Sequence, residues 1–208
     1  MNQSVALPVR EQPYYQAFLL SLFALFVCGA VAAFSAMTKE SILARSIEDT
    51  QRQLVQVLPQ SLYDNMPSQE EITLTLDGKP VHFFRARKGG AGSGVALFAE
   101  TSGYSGVIRI LLGIDANGSL TGVRVLSHTE TPGLGDAIDL NKSQWVLSFN
   151  GKSLQQPDEK GWHVKKDGGQ FDSFTGATIT PRAVVKGVHE ALQLFQRHQN
   201  EFLDRKGS

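Results

Sequence analysis

A threonine hydroxyl gains chemical interest when small residues leave it open and a helix start follows it. Phe174-Thr175-Gly176-Ala177-Thr178-Ile179-Thr180-Pro181-Arg182 has that arrangement. Thr180-Pro181 predicts a helix start, with a hydroxyl N-cap and proline at the first helical position. Val184, Val188, Leu192 and Phe195 follow as an apolar stripe at helical spacing. Thr178 therefore falls just before a helix N-terminus, where free N–H groups and the macrodipole favour a phosphate. Gly176 and Ala177 let a bulky group come close to it. Taken alone, the run also reads as a small-residue turn before a capped helix.

The second chemical constellation is His128-Thr129-Glu130-Thr131-Pro132-Gly133-Leu134-Gly135. Pro132-Gly133 and Gly135 predict a turn. His128 and Glu130, two residues apart, share one face of an extended segment and are candidates for metal ligation or acid–base work. Two ligands fall short of the three or four that a zinc site uses. Tyr104, Trp145 and Phe174 are candidate surfaces for a flat ring, with core packing as the competing reading. Lys152 and Lys166 are candidates to balance an anion, with solvated lysine as the alternative.

These residues need a frame, and the pattern predicts an α+β fold with an antiparallel sheet. Residues 72–76 alternate as a strand, Asp77-Gly78 turns, and 81–86 returns. Residues 95–100 and 106–114 are apolar and β-rich. Asp115-Ala116-Asn117-Gly118 predicts a hairpin turn into a partner strand over 120–127. The glycine-rich Lys88–Gly94 reads as a mobile loop, because no Lys-Ser/Thr and no helix follow as a phosphate loop requires. Upstream, Leu43, Ile47, Leu54 and Leu58 mark an amphipathic helix over 39–58 that Pro59 ends. It either continues a membrane helix as a stalk or packs on the domain. A βαβ rhythm and a Gly-x-Gly-x-x-Gly turn are both lacking, so the chain has no dinucleotide-binding signature.

Composition narrows the classes. Lys+Arg and Asp+Glu are 20 each, so the formal charge is zero and offers no basic field for nucleic acid. The single cysteine, Cys28, cannot build a disulfide framework, a zinc site or an iron–sulfur cluster. Ala17–Met37 is a 21-residue run without a charge. At ~1.5 Å per residue it crosses a ~30 Å hydrocarbon core. Tyr14 and Tyr15 stand at its edge, where aromatic rings prefer the interface. A cleaved signal peptide is the competing reading, with Ala30-Val31-Ala32 as a cleavage site. The run is longer than the usual apolar region of such peptides. Orientation by charge sets Arg10 against Lys39, Arg45 and Arg52, and so favours a cytoplasmic C-terminal side.

Thr175-Gly176-Ala177-Thr178 resembles the flavinylation motif of the FMN-binding domain family. Together with Glu130-Thr131-Pro132-Gly133-Leu134-Gly135 it is similar to the G subunits of Rnf electron-transport complexes. The C subunit of the sodium-pumping NADH:quinone reductase is a related protein. Gly103–Gly106, Trp145 with Phe149–Lys152, and Val164–Gly169 extend the resemblance over nearly the whole chain. The resemblance implies FMN held by a phosphoester to the Thr178 hydroxyl and attached by a flavin transferase that uses FAD and Mg²⁺. It implies a binding site of Thr175, Gly176, Ala177, Glu130, Thr131, Gly133, Leu134, Gly135, Tyr104, Trp145 and Lys152.

It also implies a single-pass subunit of the bacterial inner membrane with its large domain in the periplasm, against the charge count. Its partners would be the lipid bilayer and the other subunits of a ferredoxin:NAD⁺ oxidoreductase coupled to ion movement. The expected divisions are an N-terminal tail (1–14), a transmembrane helix (15–38), a stalk and first part of the periplasmic domain (39–98), an FMN-binding domain (99–197) and a C-terminal tail (198–208). Alternative readings are the corresponding flavoprotein of the quinone reductase, or a membrane-anchored periplasmic assembly protein without a redox group.

Overall fold

The computed structural model describes the backbone of residues 13–205 and the side chains of residues 14–35 and 48–205. The tail before residue 13 and the side chains of Lys39, Leu43, Arg45 and Ile47, used above for the stalk and for orientation, lie outside them. The chain divides into two compact units, residues 1–47 and 48–208. The first helix, α1, spans Pro13–Val55. Within it Tyr14–Ser35 is long and apolar enough to cross a membrane, and none of it is buried against protein. Phe18, Leu20, Phe23 and Phe26 stand open along it. In water such a surface would carry a large unfavourable apolar area, which a hydrocarbon solvent removes.

The second unit is built on five antiparallel strands in sequential order. They are β1 (Glu71–Leu76), β2 (Lys79–Lys88), β3 (Ala91–Ser102), β4 (Val107–Asp115) and β5 (Leu120–Ser127). Each strand therefore pairs with its chain neighbour, as short turns between alternating segments dictate. β3 runs through positions 98 and 99, so the sheet is continuous across the boundary expected there. On one face lies α2 (Ile179–Arg197), whose Val184, Val188, Leu192 and Phe195 are almost wholly buried, as their spacing predicts. They pack with Val95, Leu97, Ile108, Ile110 and Leu112 of the sheet, and with Val146, Phe149, Trp162 and Phe171 of the long segment before α2.

On the other face, Leu54, Val57 and Leu58 cover Phe84, Ala96 and Leu111. The end of the predicted stalk thus packs on the domain. The backbone of Val57 lies so close to the sheet that a Cβ at Gly113 would overlap its carbonyl oxygen. Gly113 pairs with Gly122 on β5, whose own Cβ would meet Val57 at 2.7 Å. Two facing glycines make the groove that admits the chain.

The structure differs from the sequence expectation in three places. Lys88–Gly94 is no loop: β2 and β3 extend through it and join at Gly89-Gly90, both at positive φ. Gly92 is needed there because a Cβ would overlap the Leu203 carbonyl oxygen. The segment read as a C-terminal tail contains a short helix, α3 (Gln199–Leu203), with Phe202 and Leu203 buried. Phe202 meets Phe83 edge-on at 4.8 Å, and Arg85 donates to the carbonyls of Glu201 and Phe202. Finally, α2 begins two residues early, with Thr178 rather than Thr180 as its N-cap.

Candidate functional site

Three turns converge at the start of α2. The first is Gly103–Gly106, closed by the Gly103 N–H donating to the Gly106 carbonyl at 2.7 Å. It lifts Tyr104 into the open, at 70% exposure. The second is Thr131-Pro132-Gly133-Leu134, where the N–H groups of Leu134 and Gly135 both donate to the Thr131 carbonyl at 3.1 Å. Proline followed by glycine at φ +77° is what a type II turn asks for. The third is Phe174-Thr175-Gly176-Ala177, where the Ala177 N–H donates to the Phe174 carbonyl at 3.3 Å and Gly176 sits at φ +81°. The third turn delivers the chain directly to Thr178 and α2.

Between the three turns is a cleft of about 370 Å³. Its walls are Tyr104 from the first turn and Glu130, Thr131, Leu134 and Gly135 from the second segment. Gly176, Ala177 and Thr178 close it from the third, and Ile179 and Thr180 from the first turn of α2. Tyr104, Leu134 and Ile179 give it an open apolar rim. Thr178 is half-buried, and its hydroxyl makes no capping hydrogen bond. A free hydroxyl at an N-cap is unusual, because capping satisfies one of the orphan N–H groups of the helix. Without a side-chain cap, the first-turn N–H groups of α2 stay available to an anion.

Glu130 is 4% exposed. Its Oε1 accepts from the Ser105 N–H at 2.9 Å, and its Oε2 accepts from the Thr180 hydroxyl, itself buried. Its own N–H donates to His128 Nδ1 at 3.2 Å. Thr180 is therefore not the cap its sequence context suggests; its hydroxyl turns inward to the carboxylate fifty positions away. Neither Ile179 nor Thr180 was legible as a cleft residue, because that pairing depends on the fold.

Four residues of the expected binding site, Trp145, Lys152, Thr175 and Gly133, and the further candidates Phe174 and Lys166 lie outside the cleft wall. Trp145 is a core residue, 9% exposed, edge-on to Phe149 at 5.3 Å and to Phe174 at 5.2 Å, with its indole N–H donating to the Asp172 carbonyl at 2.8 Å. It braces the third turn from behind and offers no open ring face to the cleft. Lys152 reaches Gln170 at 3.4 Å, and its carbonyl accepts from the Leu120 N–H at the start of β5 at 2.8 Å. Its place against the sheet edge takes it out of the cleft wall. Thr175 is exposed at the tip of its turn, and Gly133 faces open space. Lys166 is exposed and lines no part of the cleft. Arg182, one turn into α2, is held by Asp167 through two bonds of 2.6 Å. The guanidinium keeps the Asp167 carboxyl below the usual range.

The arrangement fits an FMN-sized group. The volume lies within the range of ligand clefts, with apolar walls, a few polar atoms and a helix N-terminus for a phosphate. The open Gly176-Ala177 backbone leaves room for a substituent on Thr178.

The profile of the FMN-binding domain family matches residues 103–193, which hold every wall of this cleft. FMN is the cofactor of this domain. The G subunit of the ion-translocating oxidoreductase complex of Cereibacter sphaeroides is 46% identical over 195 residues, 93% of this chain and 89% of its own length. The G subunit of the Pseudomonas aeruginosa complex of the same name is 47% identical over 201 residues, 93% of this chain and 94% of its own. Among solved structures, the C subunit of the Na⁺-translocating NADH-quinone reductase of Parabacteroides distasonis superposes with a TM-score of 0.54. It is 18% identical, and the match covers 81% of this chain and 98% of that one, a likeness of fold. The chain belongs to the family of G subunits of ion-translocating oxidoreductase complexes.

Proposed function

We propose that this chain is an electron carrier of a membrane-bound, ion-translocating ferredoxin:NAD⁺ oxidoreductase, holding FMN by a phosphoester to Thr178. The observation that carries this reading is the uncapped Thr178 hydroxyl at the edge of the cleft and at the head of α2. A threonine hydroxyl is neither acidic nor strongly nucleophilic unaided, so a separate flavin transferase performs the attachment. In that step the Thr178 oxygen forms a bond to the flavin-side phosphorus of FAD. The pyrophosphate bond breaks, AMP leaves, and the hydroxyl proton passes to a base of the transferase.

Bound FMN supplies the one- and two-electron chemistry. The chain's residues do the rest. The α2 N-terminus meets the phosphate charge, Leu134 and Ile179 exclude water from the ring, and Thr131 and the turn backbone offer hydrogen-bonding groups. Covalent attachment keeps the carrier in place between fixed donors and acceptors, which are other subunits of the complex. The test is in-gel fluorescence of the full chain made with its transferase. A fluorescent band after denaturation supports covalent flavin, and a dark band from protein loaded with FAD and Mg²⁺ rejects it.

The apolar span Tyr14–Ser35 anchors the chain in the inner membrane in this reading, with residues 48–205 on the periplasmic side. A reporter that works only after export, fused behind Ser208, is expected to be active. Activity of a cytoplasm-only reporter at that position would show that the charge count gives the true orientation.

A further inference from the structure

We infer that Glu130 is the positioning residue of this site, and that its charge sets the redox environment of the cleft. The inference rests on the reading of the cleft as the seat of FMN. Its geometry is that of a buried clamp. One carboxylate oxygen holds Ser105 in the first turn, and the other holds Thr180 in the first turn of α2, two residues from Thr178. Glu130 itself belongs to the segment that continues into the second turn. A single side chain therefore joins the first turn, its own segment leading into the second turn, and the head of α2.

The surroundings are cut to fit this carboxylate. A Cβ at Gly103 would overlap its Oε1, and a Cβ at Gly135 would lie 3.0 Å from its Oε2 and 2.9 Å from the Thr180 hydroxyl. The Ser105 backbone N–H and the Thr180 hydroxyl both donate, and an ionised carboxylate is an acceptor at both oxygens. Glu130 is also the one formally charged side chain among the described residues of the cleft wall. Lys152, Lys166 and Arg182 are all absent from that wall.

Two consequences follow. Without the clamp, the head of α2 is no longer tied to the facing turns, so the acceptor hydroxyl is presented less well to the transferase. And a negative charge in a partly water-excluded cleft opposes the addition of an electron nearby, which lowers the midpoint potential of the group bound there. Glu130 touches no reacting atom in this scheme; it acts through Thr180, Ser105 and its field.

The experiment uses the full chain, produced with its flavin transferase and purified in detergent. Glu130→Gln keeps an acceptor for Ser105 and a polar partner for Thr180 but removes the charge. It is expected to carry covalent FMN with a midpoint potential shifted upward from wild type. Thr180→Val keeps the charge but removes the tether, and is expected to slow FMN attachment several-fold and to change the visible spectrum of what is attached. Glu190→Gln, an exposed charge on α2 paired with Lys186, is the control and leaves potential and loading unchanged. Flavinylated Glu130→Gln at the wild-type potential overturns the inference, as does Thr180→Val loaded at the wild-type rate with a wild-type spectrum. If Glu130→Gln does not fold, the Thr180→Val result decides. Wild-type protein that takes up no flavin under these conditions brings down the reading of the cleft itself, and the inference with it.

Discussion

Thr178→Ala is expected to abolish covalent flavin completely. Intact mass of the wild-type chain made with its transferase should exceed the unmodified chain by one FMN less one water, and the variant should show the unmodified mass and no yellow colour. The effect is all-or-none because the hydroxyl oxygen is one of the atoms of the proposed bond. Misfolding does not offer an easy alternative. Losing an N-cap threonine commonly costs about 1 kcal/mol, but that cost comes from a capping hydrogen bond. Thr178 makes none. The variant's thermal unfolding should therefore stay close to that of unmodified wild type. Thr178→Ser, which restores a hydroxyl, should be flavinylated again. Thr175→Ala should keep the flavin, since Thr175 is exposed and outside the cleft wall. Denatured Thr178→Ala protein that still carries FMN would place the bond elsewhere, and Thr175 would be the first residue to examine.

Much of the frame around Thr178 was legible because it rests on local patterns. Alternation over 72–76, apolar β-rich runs and turn residues located all five strands to within a few positions, and Asp115–Gly118 turned where expected, with the Gly118 N–H on the Asp115 carbonyl. The stripe from Val184 to Phe195 gave the buried face of α2. What was not legible depends on approach between distant segments. Thr180-Pro181 has the chemistry of a helix start, yet its hydroxyl is taken by Glu130, and the helix begins at Ile179. A proline at the third helical position still costs little, because first-turn N–H groups have no intrahelical partner. Gly92 misled in the same way: it reads as part of a loop, yet like Gly113 and Gly122 it makes room for a backbone segment remote along the chain. Glu130, Thr131, Leu134, Gly135, Gly176, Ala177 and Thr178 line one cleft together with Tyr104, whereas Trp145, Phe174, Lys152 and Lys166 scatter outside its wall.

Trp145 is the clearest case of that scatter, and it carries the second large prediction. A tryptophan between a flavin motif and a glycine-rich turn invites a stacking role. Its surroundings assign it to the core instead. Its ring is closed off by Phe149 and Phe174, and its N–H is committed to the Asp172 carbonyl just before the Thr-Gly-Ala-Thr turn. Trp145→Ala removes a large buried ring and leaves that carbonyl without its donor, a loss of about 3–5 kcal/mol. For a unit of this size, that corresponds to a fall in Tm of roughly 6–20 °C. Trp145→Phe keeps most of the apolar contact and loses the hydrogen bond, so its fall should be distinctly smaller. Flavin attachment should decline in Trp145→Ala in step with stability, because the brace behind Phe174 is gone. The visible spectrum of any flavin that is attached should stay at the wild-type maximum. The measurements are thermal unfolding of the unmodified proteins and absorption spectra of the flavinylated ones. A Trp145→Ala protein with wild-type Tm and a displaced flavin spectrum would return Trp145 to the cofactor and contradict the packing described here.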